Sequence, residues 1–305
     1  MAFMDAVGFA ELTLTSAFNS SVSEFIVNKH KIERCLSFLS DEQSKVAYEG
    51  ELSFLMLRKV NPDLAKQVSP FTKEDWKAVA DKWPEFVKSD RCPKMACSEK
   101  ERQYLINMLV TTFICEQYRY EDKVNVQKGE VFIDCGACFG DTALWAYKNG
   151  AKDVYSFEPS PFNFEVLKNN IAANEHDVNK CLNMAVGDSH SKIPFAAAPG
   201  MAGASYATDK GNIEVECVTL DDFFEQNKIK PTFLKLDIEG FELGALKGAA
   251  KSIVKYKPKL TVCLYHNTKD MWELPLYIKE LVPEYKFYCR KNNVDNEFIL
   301  YATTK

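Results

Sequence analysis

Val131-Phe-Ile-Asp-Cys-Gly-Ala-Cys-Phe-Gly-Asp141 is the stretch whose reading decides the fold. A β-forming run, Val131 to Asp134, enters a loop with glycines at 136 and 140, and the loop opens at Asp141-Thr142 onto a helix-forming run to Tyr147. Strand, glycine turn and helix together are the local context of a nucleotide cradle. Glycine lets backbone pass close to a ligand where a β-carbon would block it. The spacing is G-x-x-x-G, which departs from the G-x-G-x-x-G of dinucleotide enzymes. Cys135 and Cys138 add a C-x-x-C pair, but a structural zinc site needs a second pair of ligands, and no Cys or Cys/His pair stands at suitable spacing elsewhere. A thioredoxin-like role is also disfavoured by placement in a cofactor loop, so the cysteines read as incidental.

Downstream of this loop, short β-rich runs alternate with helical ones. The strands expected first are Val131 to Asp134, Val154 to Phe157, Leu182 to Val186, Phe233 to Asp237 and Leu260 to Tyr265. The helices between them are Asp141 to Tyr147, Pro161 to Asn174, Glu242 to Val254 and Met271 to Leu281. This alternation predicts an α/β fold with a parallel sheet and crossover helices. Tyr285 to Cys289 and Phe298 to Ala302, separated by a polar stretch, predict a terminal antiparallel hairpin. Upstream the texture is helical: Ile32, Cys35, Leu36 and Leu39 share a face, as do Phe54, Leu55 and Leu57. Asp41, Thr72 and Ser98 stand where helices begin. The chain therefore divides into a helical region, 1–122, and an α/β domain, 123–305.

The 305 residues are 46% apolar, enough for a substantial core, and carry a formal net charge of -5, against a nucleic-acid surface. Ten scattered cysteines read as reduced thiols of a cytoplasmic protein. The start carries Asp5, Glu11 and Glu24 before its first cation, Lys29, which is not a secretory pattern, and no apolar run approaches the ~20 residues of a membrane span.

In an open parallel sheet the ligand sits beyond the carboxyl ends of the strands, and those ends are acidic here. Asp134 closes the first strand. Glu158, followed by Pro159, closes the second, where a carboxylate can accept from ribose hydroxyls. Asp188 follows the third, where it could accept from an adenine amine. A cationic sulfonium needs no phosphate-binding lysine, and an acid such as Asp134 or Asp141 can hold an amino-acid tail. These features favour S-adenosylmethionine over NAD, whose pyrophosphate wants a tighter glycine turn.

The second half resembles the FkbM family of S-adenosylmethionine-dependent methyltransferases. The residues that carry the resemblance are VFIDCGACFGDTA, YSFEPSPFNFEVLKNNI, AVGD and, most specifically, FLKLDIEGFELGALKGA followed by KPKLTVCLYH, from about Tyr118 to the C-terminus. It implies a Rossmann-like class I methyltransferase sheet ordered 3-2-1-4-5-7-6, with the last strand antiparallel and a helical extension ahead of it. It implies methyl transfer to a hydroxyl of a sugar, glycan or related natural product. Asp134, Gly136, Gly140 and Asp141 would lie along the cofactor's methionine portion, with Ala137 and Thr142 beside them, Glu158 and Pro159 at the ribose, and Asp188 near the adenine.

Methyl transfer from a sulfonium is an in-line displacement, so acceptor and methyl carbon must be aligned with water excluded. An aliphatic hydroxyl must also lose its proton or be bound to a metal. The groups placed for this end the fourth and fifth strands: Asp237, which can also face the cofactor, Glu239 and His266. His266 is expected to act as general base or to orient the acceptor, with Asp237 next. The three could alternatively hold one divalent ion. Lys235 shares a strand face with Asp237 and is expected to pair with it. Trp272 could wall a sugar ring, and the small-residue loop Gly200 to Tyr206 could border the acceptor. The helical leader could form an oligomer contact, a lid or a docking surface. An NAD-dependent oxidoreductase and a catalytically silent nucleotide-binding module are the alternatives.

Overall fold

A computed structural model describes residues 19–200, 202–294 and 297–305. Asp5 and Glu11, Met201 of the small-residue loop, and Asp295 and Asn296 of the hairpin connection lie outside the described residues.

The leader forms α1 (Asn19–Val27), α2 (Lys29–Phe38), α3 (Glu42–Leu57), α4 (Pro62–Val68), α5 (Lys73–Ala80), α6 (Trp83–Phe86) and α7 (Arg102–Leu109), and α7 runs on into a π-helical turn over Val110–Ile114. Three of its helices, α3, α4 and α5, begin where a short polar side chain satisfies one of the first free N–H groups. Asp41 accepts from the Ser44 N–H at 2.9 Å, and Thr72 and Asp75 form a reciprocal capping box. Ser98 differs: its hydroxyl donates to Glu101 at 2.6 Å, and a 3-10 turn precedes α7.

The α/β region follows in the order β1 (Val131–Cys135), α8 (Asp141–Lys148), β2 (Asp153–Phe157), α9 (Pro161–Ala173), β3 (Cys181–Leu182), β4 (Ala185–Val186), β5 (Ser191–Ala196), β6 (Tyr206–Ala207), β7 (Ile213–Val218), α10 (Leu220–Asn227), β8 (Phe233–Leu236), α11 (Glu242–Gly248), α12 (Ala250–Tyr256), β9 (Lys259–Cys263), α13 (Asp270–Leu281), β10 (Lys286–Lys291) and β11 (Phe298–Thr303). Seven strands form one sheet in the order β10-β11-β9-β8-β1-β2-β3. β1, β2, β3, β8 and β9 pair in parallel, and β11 runs antiparallel between β9 and β10. Numbered along the chain within that sheet, this is the order 3-2-1-4-5-7-6.

Two elements differ from expectation. Leu182 to Val186 is not one strand: β3 stays in the main sheet, whereas β4 pairs with β7 in a second sheet, β4-β7-β5-β6. The break falls at Asn183, whose side chain turns back to donate to the carbonyls of Glu158 (2.9 Å) and Pro159 (3.1 Å). The run from Glu242 also divides, into α11 and α12 at Ala249. A β-carbon on Gly248 would stand 1.9 Å from the Gly187 carbonyl oxygen, so glycine there lets the α11–α12 corner press against the chain leaving β4.

The leader shares the core of the sheet on both faces. On one, Val22, Phe25, Ile32, Leu52 and Phe54 join Leu234, Leu236, Leu260 and Val262; on the other, Leu105, Leu109 and Phe113 join Phe132, Trp145 and Phe233. Trp272 is 1% exposed and packs edge-on against Phe25 at 6.0 Å, so it belongs to this core and not to an acceptor wall. A buried pair, Lys291 to Glu51 at 2.7 Å, ties β10 to α3. Among the described residues no helix is long and apolar enough to cross a membrane.

Candidate active site

A cavity of about 670 Å³ opens at the carboxyl ends of β1, β2 and β8, the size of a small-molecule site. This is where strand order reverses around β1, the switch point at which open α/β sheets bind ligands.

The loop after β1 lies across the exit of β8. Gly136 has φ +81°, and a β-carbon there would stand 1.8 Å from the Asp237 carbonyl oxygen, so no other residue type fits without moving the backbone. Beneath the loop, Asp134 and Lys235 are both buried and paired at 3.1 Å. Lys235 also donates to the Gly136 carbonyl at 2.7 Å and the Cys135 carbonyl at 3.2 Å. The expected partner of Lys235 was Asp237; the actual one is Asp134, because β1 and β8 are adjacent and Asp134 stands directly opposite Lys235. Asp134 therefore supports the loop from below and does not line the cavity.

Glu158 faces the cavity at the end of β2. Its two carboxylate oxygens accept from the Cys138 N–H (2.8 Å), the Ser160 N–H (2.9 Å) and the Asn163 amide (3.5 Å), which fix its orientation and leave one lone-pair position for a ligand. Burial raises it to about 7 despite these bonds, because desolvation disfavours the charged form. Asp141 and Thr142 line the cavity at the start of α8, and Asp141 accepts from the Thr112 hydroxyl at 2.5 Å. Burial raises Asp141 to about 6. Pro159, Met184, Ala185 and Val186 also line this side. Ala137 and Gly140 turn away into the loop's own packing, and Asp188 is exposed outside the lining. Cys135 is buried, Cys138 reaches the cavity wall, and both are free thiols.

The opposite half is acidic. Asp237 accepts from the hydroxyls of Tyr118 (2.8 Å) and Tyr265 (2.9 Å). Burial alone would raise it, but Lys235, His266 and the two tyrosines hold it below the usual carboxylate range. His266 Nε2 stands 3.5 Å from Asp237 and 3.7 Å from Glu239, and Nδ1 stands 2.8 Å from the buried Glu242. Burial would lower the imidazole, but Glu242, joined by Asp237 and Glu239, outweighs it and raises His266 to about 9. Glu239, at φ +56°, is raised to about 7, chiefly by burial. Left-handed backbone at a residue other than glycine costs energy and concentrates at functional sites. Cys138, on the opposite wall, shares it at φ +45°.

The leader contributes residues that its sequence did not reveal. Arg58, Tyr104, Asn107, Met108, Thr111, Thr112, Gln117 and Tyr118 line the cavity, as does Glu297 from the hairpin connection. The amide oxygen of Gln117 is buried without a hydrogen-bond partner. The π-helical turn after Leu109 is the feature most suggestive of function, since such turns concentrate at functional sites, but no residue pattern announces it.

The chain matches the Methyltransferase FkbM domain family over residues 134–289, just over half of its length. It is 26% identical over 178 residues to the hexuronic acid methyltransferase AglP of Haloferax volcanii, covering 57% of this chain and 71% of that protein. It is 25% identical over 201 residues to the methyltransferase sdnD of Sordaria araneosa, covering 54% and 75%. The crystal structure of Methyltransferase FkbM from Methylobacillus flagellatus superposes with a TM-score of 0.61 at 20% identity, over 92% of this chain. This chain spans only 60% of that protein's length, and the likeness concerns the fold.

Proposed function

This chain belongs to the FkbM methyltransferase domain family, and we propose that it transfers a methyl group from S-adenosylmethionine to a hydroxyl of a sugar, glycan or related natural product. The observation that carries the cofactor assignment is the pairing of Gly136, where a β-carbon would strike the Asp237 carbonyl, with Glu158, held by two backbone N–H groups and facing the same cavity. Glu158 offers a carboxylate lone pair to a ribose hydroxyl. The loop 136–140 with Asp141 and Thr142 suits an amino-acid tail, and Met184, Ala185 and Val186 suit the flat face of a purine. S-adenosylmethionine bound there would supply an electrophilic methyl group.

The acceptor half fits a hydroxyl-rich molecule. Asn107, Thr111 and Gln117 face it with neutral hydrogen-bonding groups, and the unpaired Gln117 oxygen can accept from a hydroxyl. The relatives named for hexuronic acid and general methyl transfer point the same way. His266, held protonated at neutral pH by Glu242, orients the acceptor; Glu239, raised to about 7 and lining the same wall, takes the hydroxyl proton in its ionised form as the methyl group arrives, while Asp237 and Lys235 set the charge and shape of the wall around them.

Calorimetric titration of the purified chain with S-adenosylhomocysteine, beside NAD, tests the cofactor. Binding of the first alone supports the assignment, and binding of NAD alone overturns it. Radiolabelled methyl transfer to sugars, uronic acids and amines then tests the acceptor class, and label on amines only would reject a hydroxyl acceptor.

A further inference from the structure

The geometry points to a divalent transition-metal site, of the zinc type, formed by Asp237 and Glu297 of the cavity lining and the buried Cys263 beside them. One ligand atom from each lies within 4.8 Å of the others, close enough for a modest side-chain adjustment to bring all three onto one ion. They come from three separate places: the exit of β8, the last residue of β9 and the residue just before β11. Because β9 pairs with β8 on one side and β11 on the other, the sheet itself brings them together.

One further feature indicates that a cation belongs there. Glu297 Oε2 is buried without a hydrogen-bond partner, although Asp237, a like charge, is its neighbour. Two carboxylates brought together in a buried place repel unless a proton or a cation lies between them. The Tyr118 and Tyr265 hydroxyls hold the Asp237 carboxylate by its edges, as outer-shell partners orient metal ligands.

The donor set selects the ion. A thiolate beside two carboxylates suits zinc or cobalt and disfavours magnesium and calcium, which take oxygen ligands. Binding would release the Cys263 thiol proton to solvent. Asp237 and Glu297 both line the cavity, so a fourth position would face it, as in sites that bind a substrate oxygen. This site differs from the Asp237, Glu239 and His266 set expected from the sequence: His266 Nδ1 is occupied by Glu242, and Glu239 turns to the cavity rim.

The full chain, stripped with chelator and then dialysed, is titrated with cobalt(II) alone and, separately, with zinc(II) followed by elemental analysis. The expected result is one tightly held ion per chain and a near-ultraviolet thiolate-to-cobalt band. Cys263→Ser removes the band. Glu297→Gln, a change that keeps the side chain's size, weakens cobalt binding at least tenfold, with thermal melting as the folding control. No retained ion, cobalt binding without the thiolate band, or a folded Glu297→Gln chain with unchanged affinity would each overturn the site. S-adenosylhomocysteine binding to the same samples separates this outcome from the cofactor assignment.

Discussion

Replacing Glu158 with Gln separates cofactor recognition from the rest of the chemistry. The carboxylate accepts from the Cys138 and Ser160 N–H groups and, at 3.5 Å, from the Asn163 amide, which leaves one lone-pair position for a ligand in the cavity it lines. A hydrogen bond to a charged acceptor contributes roughly 1.5–3 kcal/mol, so losing the charge should raise the S-adenosylhomocysteine Kd about ten- to a hundredfold. The same group predicts a pH dependence. With Glu158 titrating at about 7 in the free protein, only about a tenth of it is ionised at pH 6 and about nine-tenths at pH 8. If the ionised form binds, wild-type Kd at pH 6 should be about ten times that at pH 8. Glu239 also titrates near 7, so the diagnostic quantity is the difference between wild type and variant. Calorimetry at several pH values, in one buffer series at constant ionic strength, reads both effects. A wild-type affinity that is flat from pH 6 to 8, or a variant that binds as tightly as wild type at pH 8, would refute the assignment of Glu158 to the ribose.

Stability carries a linked sign. The folded Glu158 lies above the unfolded value, so its contribution is fully present below about 4.5 and is lost as pH rises to about 7; thermal melting of the free protein should show wild type losing more stability than Glu158→Gln across that window. Gly136→Ala should destabilise the fold by on the order of 3 kcal/mol or more, about 5 °C or more in Tm for a chain of this length, because a β-carbon meets the Asp237 carbonyl. A near-normal melting curve would mean that the loop yields easily. Lys235→Met should cost about 3–5 kcal/mol in urea denaturation by leaving Asp134 buried without its partner, and adding Asp134→Asn should restore much of it. His266→Ala should lower turnover about 10²-fold or more with S-adenosylhomocysteine affinity unchanged, and normal turnover would remove His266 from the mechanism.

Much of the α/β half was legible because its signals are local. Val131–Cys135, Asp153–Phe157 and Lys259–Cys263 are short β-rich runs, and Gly136 and Gly140 mark a left-handed turn; in the helical region, likewise, Asp41 and Thr72 sit where helix N-termini need an acceptor. Glu158 and Asp237 could be placed at strand ends by counting along the chain. The second sheet was not legible, because β5 and β7 are half exposed and partly polar and β5 contains Pro194, so their pattern resembles loop.

By itself, then, the sequence determined the alternation of strands and helices, the glycine cradle after β1 and the acids at the strand ends. Those depend on backbone conformation and on residue spacing within one segment. Only the tertiary structure decided that Lys235 pairs with Asp134, that Thr112 and Tyr118 of the leader touch Asp141 and Asp237, and that Cys263 and Glu297 meet at Asp237. Each of those contacts joins segments that are far apart along the chain or fixed by strand neighbours. They exist because the sheet order places β8 between β1 and β9, and the leader helices bury their apolar faces against it. Periodicity within a segment says which face is apolar; which partner covers that face is settled by the packing of the whole chain.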